Sequence, residues 1–176
     1  SSNIYLILKG LVKGYSMDAD GKELITALYR ADDFLGFTSF LNKTPYNETA
    51  TAIETVKLAG ISKENLKAIL EKNKNISFEL MELLTKNITL IKAQLLQMAY
   101  SSVRKKTAQT LLQFATVMNT NAKEPIKISR SDLASVAGIA PESLIRTLST
   151  FKKEGLIAIE GRNIRIKELK ALKYVN

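Results

Sequence analysis

The sequence predicts an α+β fold: an antiparallel all-β first third, a helical middle and a small basic helix-and-hairpin segment at the end. Three observations carry this. Residues up to about 61 alternate in hydropathy between turn residues. From about 63 to 118, apolar positions recur at helical spacing. Around Gly138 two short apolar-faced segments meet at a turn.

The stretch "IYLILKGLVKGYSM" is rich in Ile, Leu, Val and Tyr and is punctuated by Gly10 and Gly14, so strands are expected. "MDADGKELITALYR" places the turn signal Asp20-Gly21 between two runs, the pattern of a hairpin. "TATAIETVKLAGIS" alternates again, with Ala50, Ala52, Val56, Leu58 and Ile61 as its apolar set. An antiparallel barrel or sandwich is the class this predicts. Ser62 can cap a helix bearing Leu66, Ile69 and Leu70. A longer helix is expected from about Ile76 to about Ser101. In it Leu84, Ile88, Ile91, Leu95 and Met98 follow one another at spacings of four, three, four and three. That seam suits either an internal core face or a two-fold dimer contact. Leu80, Leu83 and Leu90 form a second row. Residues 102–118 read as another helix, 119–125 as a polar loop, and "GLIAIEGRNIRIKE" as a hairpin around Gly161-Arg162.

The 176 residues include no cysteine and no histidine. This excludes disulfides, thiolate zinc sites and iron–sulfur clusters, and removes the commonest general base and haem ligand. No run of about 18 apolar residues is present, so no membrane span is expected. The net charge of +9 is uneven. Residues 1–73 hold nine basic and nine acidic side chains, whereas residues 101–176 hold fourteen and six. A basic end beside a neutral beginning points to a polyanion such as nucleic acid, with ordinary solubility charge as the plain alternative.

Within "DLASVAGIAPESLIRTLSTFKKEGLI", Ser129 and Asp132 suit a variant capping box for a first helix from about Arg130 to Ala137. Gly138 allows a left-handed turn and Pro141 stands at the favoured first position of a second helix. Leu144 and Leu148 would face the first helix, with Ile139 between the two. This is a helix-turn-helix, whose second helix enters the major groove. Glu142 and Arg146 are four apart near the start of that helix. Arg can bond guanine through two atoms and Glu can accept from cytosine. On their own they would better suit an exposed ion pair; the turn, the basic surplus and the hairpin together favour DNA reading. The hairpin would put Arg162, Arg165 and Lys167 near phosphates as a wing, or be a plain charged edge.

"ISRSDLASVAGIAPESLIRTLSTFKKEGLIAIEGRNIRIKE" resembles the winged helix-turn-helix of the Crp/Fnr family of bacterial transcription regulators. The first third is similar to that family's cyclic-nucleotide-binding-like β-roll (a double-stranded β-helix of jelly-roll type). It shares the apolar-Lys-Gly strand, the "DGKE" hairpin and the Asp32-Asp33-Phe34-Leu35-Gly36 turn. The resemblance implies a roll over 1–73, a dimerisation helix over 74–101 and a DNA-binding domain over 102–176. Such a roll usually begins tens of residues earlier, so an N-terminal part is expected to be missing here. The implied DNA-contacting set is Ser129, Arg130, Ser131, Pro141, Glu142, Ser143, Ile145, Arg146, Lys152, Arg162 and Arg165. The implied dimer contact is Leu84, Ile88, Ile91, Leu95 and Met98. The expected partners are double-stranded DNA, a second copy of the chain and RNA polymerase, in the cytoplasm.

The sequence departs from the family's cAMP-binding members. Gly36-Phe37 stands where they have Gly-Glu, and Glu48-Thr49-Ala50 where they have an Arg-led run. There is no Arg between Arg30 and Arg104. A cyclic phosphate would lack its guanidinium fork, for which Lys43 is a poor substitute. No cAMP, haem or iron–sulfur cofactor is therefore expected. Gly36, Phe37, Phe40 and Tyr46, with Leu41, could line a pocket for an apolar effector of unknown identity, or be ordinary core. The recognition helix departs too, with Pro141 where many members have Arg and Ile145 where they have a small residue. The alternative functions are a cyclic-nucleotide-binding regulatory protein acting through protein contacts, and a small enzyme, for which no catalytic motif is present.

Overall fold

The computed structural model describes residues 3–37, 39, 45–118 and 124–176. Phe40, Leu41 and Lys43 lie outside the described residues. The chain forms two compact units: Ser1–Gly14 with Ala27–Leu96, and Tyr15–Thr26 with Gln97–Asn176.

In the first unit, β1 (Asn3–Lys9) is the middle strand of a sheet with β4 (Phe34–Leu35) and β6 (Lys57–Ser62), all antiparallel. Ile4 pairs with Ile61 and Ile7 with Leu58. Ile4 and Ile7 differ in parity, so they point to opposite faces, and both are fully buried. Ile4 packs with Phe37 and Leu66, and Ile7 with Val12 and Leu35. The middle strand is thus covered on both sides. A second sheet has the order β3 (Glu23–Tyr29), β2 (Val12–Met17), β5 (Thr49–Ala52). The expected hairpin turn lies between β2 and β3. Asp18 Oδ1 accepts the backbone N–H groups of Asp20 and Lys22 there.

The alternating run from residue 49 to 62 does not bury one face as expected. It breaks into β5 and β6, and Ala50, Ala52 and Leu58 are exposed. β5 is an edge strand whose four residues are all exposed, whereas Ile61 on β6 packs against the Ile4 cluster.

α1 (Lys63–Lys72) starts at Ser62, whose hydroxyl accepts the Asn65 N–H. α2 (Lys74–Tyr100) starts two residues earlier than its periodicity predicts and runs for 27 residues, about 40 Å. Leu80 and Leu84 pack against the Ile4–Phe37–Leu66 cluster. Ile88, Ile91 and Leu95, with Phe78, Met81 and Leu90, are exposed. The upper end of the expected seam is therefore occupied within the protomer, and the Leu80–Leu83–Leu90 row is split between core and surface.

The second unit contains α3 (Val103–Val117), capped by the Ser102 hydroxyl on the Lys105 N–H. α4 (Arg130–Ala137) has the expected bounds and α5 (Pro141–Lys153) the expected start. A small antiparallel sheet orders β7 (Ile126–Lys127), β9 (Asn163–Ile166) and β8 (Ile157–Glu160), and α6 (Leu169–Lys173) follows. Leu111, Phe114, Leu133, Leu144, Phe151 and Ile164 are fully buried together with their neighbours, and form the heart of the unit. Arg104 lies over the Phe151 ring, 4.9 Å from its centroid, and is hydrogen-bonded to Glu154. That bond holds the guanidinium above its ordinary value and the Glu154 carboxyl below its own.

Phe151 supports two layers at once, so truncation opens a cavity and removes the seat of Arg104. Phe151→Ala should cost about 3–5 kcal/mol, measured by urea unfolding. A cost near zero would mean that the helix repacks without it.

Candidate nucleic-acid interface

The turn between α4 and α5 follows from local chemistry. The Ser129 hydroxyl accepts the Asp132 N–H at 2.9 Å and bonds the Asp132 carboxylate at 2.7 Å. The aspartate thus closes the cap through the serine hydroxyl. Gly138 is left-handed, with φ 60 and ψ 43, and its N–H reaches the carbonyl of Ser135. A side chain there would be strained and would meet the Met98 methyl, 2.7 Å from an ideal Cβ. Met98, the lower end of the expected dimer seam, is thereby occupied by the turn. Ile139 is only half-buried.

α5 buries Leu144, Leu148 and Phe151 and turns its other face outward. Pro141, Glu142, Ile145 and Arg146 are exposed, and Ser143 is half-buried. Among the described residues neither the Glu142 nor the Arg146 side chain has an ion-pair partner, so the pair expected on spacing alone is not formed. The hydroxyls of Thr147, Ser149 and Thr150 bond back to their own helix. Lys152 is exposed but lies six residues beyond Arg146, about 9 Å along the axis and on another flank. It does not join the Glu142–Arg146 group.

The hairpin β8–β9 pairs Ile157 with Ile166 and Ala158 with Arg165. Its buried side chains, Ile157, Ile164 and Ile166, anchor it, while Arg162, Arg165 and Lys167 are exposed. The start of α4 is brought to its turn. Arg130 donates from Nη1 to the Arg162 carbonyl at 3.1 Å and from Nη2 to the Gly161 carbonyl at 3.3 Å. Partial burial lowers the Arg130 guanidinium from its ordinary value. Ser129 and Ser131, whose hydroxyls lie 2.8 Å apart, stand beside it on the same helix start.

Two arrangements go beyond what the sequence pattern predicts. The Ser135 hydroxyl accepts the Ile25 N–H at 2.9 Å and donates to the Glu23 carbonyl at 2.8 Å, so one side chain clips two backbone groups of β3. A serine amid Leu133, Ala134, Val136 and Ala137 was the available hint. In the first unit the Tyr29 hydroxyl donates to Glu48 at 2.8 Å, and both groups crowd Gly14. Burial first, and then Glu48, push the Tyr29 phenol above its ordinary value.

Of the effector-pocket candidates, Phe37 is buried with Ile4 and Leu66, while Tyr46 is largely exposed and lies over Gly36. The Tyr46 hydroxyl donates to the Asn3 carbonyl at 2.6 Å. Among the described residues no cluster of three or more acidic, His or Cys side chains could hold a metal. Among them, also, no helix is long and apolar enough to cross a membrane.

A two-helix reading element with an adjacent basic hairpin, joined in one chain to a two-sheet β domain and a long helix, defines a winged helix-turn-helix regulator. Residues 105–175 match the Crp-like helix-turn-helix domain and residues 1–73 the cyclic nucleotide-binding domain. The two matched domains together span most of the chain, and the curated relatives it matches are Crp/Fnr-type transcription regulators. It is 28% identical to the regulatory protein HlyX of Actinobacillus pleuropneumoniae, over 97% of this chain and 72% of that one. It is 23% identical to the CRP-like cAMP-activated global transcriptional regulator of Mycobacterium tuberculosis, over 96% and 77%. The fold is shared with FixK2 of Bradyrhizobium japonicum, at a TM-score of 0.83 and 19% identity, over 97% of this chain and 85% of that one.

The Tyr29 phenol predicts a pH effect. Its folded value is raised, so its contribution is whole below the ordinary 10.0 and is lost as pH rises through the folded value. Tyr29→Phe should therefore make the loss of stability above pH 10.0 shallower, as followed by circular dichroism. Equal alkaline slopes in the two proteins would contradict the buried phenol.

Proposed function

We propose that this chain is a dimeric, sequence-specific DNA-binding transcription regulator that does not respond to cAMP. The observation that carries the reading is the unpaired, exposed Glu142–Arg146 pair on the outward face of α5. An arginine without a carboxylate partner keeps its fork free for a guanine, and Glu142 can accept from a cytosine. Ser129, Ser131, Pro141, Ser143, Ile145, Lys152, Arg162 and Arg165 complete the DNA-facing set, mainly toward phosphates, with Arg130 beside them on the wing turn. Family and fold are those of transcription regulators, and the reading assigns no catalytic role. DNA as ligand places its work in the cytoplasm, with RNA polymerase as the downstream partner.

Arg146→Ala should cost about 1–3 kcal/mol on the specific site and relax preference at one position. Arg165→Ala should weaken all DNA alike and reduce the salt slope by about one. A salt titration of both variants on matched and scrambled sites decides. If Arg146→Ala lowers both affinities equally, α5 is not the reading helix.

For assembly, Ile88, Ile91 and Leu95 are 54%, 60% and 65% exposed on one side of α2. Three large aliphatic side chains so exposed favour a second copy of the chain as cover. Ile91→Asp would bury an unpaired charge in that contact, so sedimentation should report monomer. A persisting dimer would move the interface off this face. With the α2 seam as the dimer contact, two half-sites should lie about one helical turn, about 10 base pairs, apart.

For the effector, Glu48 already holds the Tyr29 hydroxyl and presents a carboxylate where a cyclic phosphate would need a cation. Calorimetry with cAMP should give no saturable heat. Micromolar binding would instead favour a cyclic-nucleotide regulatory protein.

A further inference from the structure

We infer that Arg130 is a positioning residue: it acts on DNA through the wing, by fixing the Gly161-Arg162 turn beside the reading helix. The inference rests on the DNA-binding reading and adds a division of labour within it.

The wing is rooted but its tip needs a separate hold. β9 pairs with β7 at Ile126–Ile164 and at Lys127–Asn163. Beyond Asn163 that ladder ends, and Gly161 and Arg162 project as the exposed turn. Strands of four residues on a two-residue turn are stiff along their length, yet such a tip can still rock about its root. The Arg130 guanidinium meets two successive carbonyls of that turn, at 3.1 and 3.3 Å. A planar fork with two donors on two neighbouring acceptors fixes direction as well as distance. The other end of Arg130 is equally fixed. It is the first residue of α4, held by the Ser129 cap, and α4 is locked to α5 through the Gly138 turn. A rigid path therefore runs from the reading helix to the wing tip through one side chain. Arg162 and Arg165 sit on the element so held, and their reach to phosphate depends on where the turn points.

The decisive variant is Arg130→Lys, which keeps the charge and the helix start but loses the fork. If Arg130 works through the wing, Arg130→Lys should weaken matched DNA about tenfold, as losing one charge-assisted hydrogen bond would. Its salt slope should fall by about one to two although no charge has gone, because Arg162 and Arg165 no longer meet phosphate together. Adding Arg165→Ala to Arg130→Lys should cost much less than Arg165→Ala does alone. In the DNA-free protein, amide exchange at Arg162 and Asn163 should quicken about tenfold, while the α5 amides stay unchanged. If the lysine variant keeps the parental affinity and slope, or the two substitutions simply multiply, Arg130 is a direct phosphate contact and the inference falls. Unchanged wing exchange overturns it as well. If the parent protein itself fails to bind DNA selectively, the DNA reading fails, and the exchange measurement still decides whether Arg130 holds the wing.

Discussion

The rotation of α5 about its own axis is the constraint on which the second unit depends. Leu144, Leu148 and Phe151 set it, because all three are buried and recur every three to four residues along one side. Once that stripe is committed to the interior, Glu142 and Arg146 have no choice of direction. Arg104, stacked on Phe151 and bonded to Glu154, ties the far end of the same helix to the start of α3. Energetics and chemistry thus meet in one element: the apolar side supplies the stability, and the polar side is presented without having to pay for its own order.

The legible parts of this molecule are those whose cause lies within a few residues. Ser129, Gly138 and Pro141 each force a local backbone event, so the first short helix and the start of the second were legible. The Asp20-Gly21 turn and the long helix were legible for the same reason. What periodicity could not supply is which of two apolar faces finds a neighbour. Leu84 and Met98 fit the seam of α2 by spacing, yet one lies on the Ile4 cluster and the other on the Gly138 turn. Ala50 and Leu58 alternate correctly and are still exposed, whereas Ile61 in the same run finds the Ile4 cluster. The wing was legible as a charged hairpin, but its hold by Arg130 was not. A contact with two backbone carbonyls leaves no residue type to read.

Glu48 is a different kind of case. Its identity was visible as an acid where the resemblance implies a base, and with Phe37 in place of Glu it argued against a cyclic-phosphate ligand. The structure adds what the carboxylate does instead. It accepts the Tyr29 hydroxyl beside Gly14, in a space that leaves no room for a side chain at residue 14. A position that could have served recognition is used here to satisfy an internal hydroxyl. A buried phenol needs an acceptor as much as a phosphate needs a donor, and Glu48 is that acceptor for Tyr29.

The clip made by Ser135 has a consequence for how the chain folds. Its two partners lie on β3, 110 and 112 residues earlier in sequence. Residues 15–26 belong with residues 97–176 in one compact unit, so that unit is not a continuous piece of chain. During synthesis the hairpin emerges first, and its strand groups remain in water until α4 exists. Closing so long a loop carries an entropy cost that only grows slowly with length, but it cannot be met until the intervening residues are made. The C-terminal unit is therefore completed by a segment born near the beginning. A fragment cut at residue 102 would leave the Ser135 hydroxyl without the two strand groups it bonds in the whole chain.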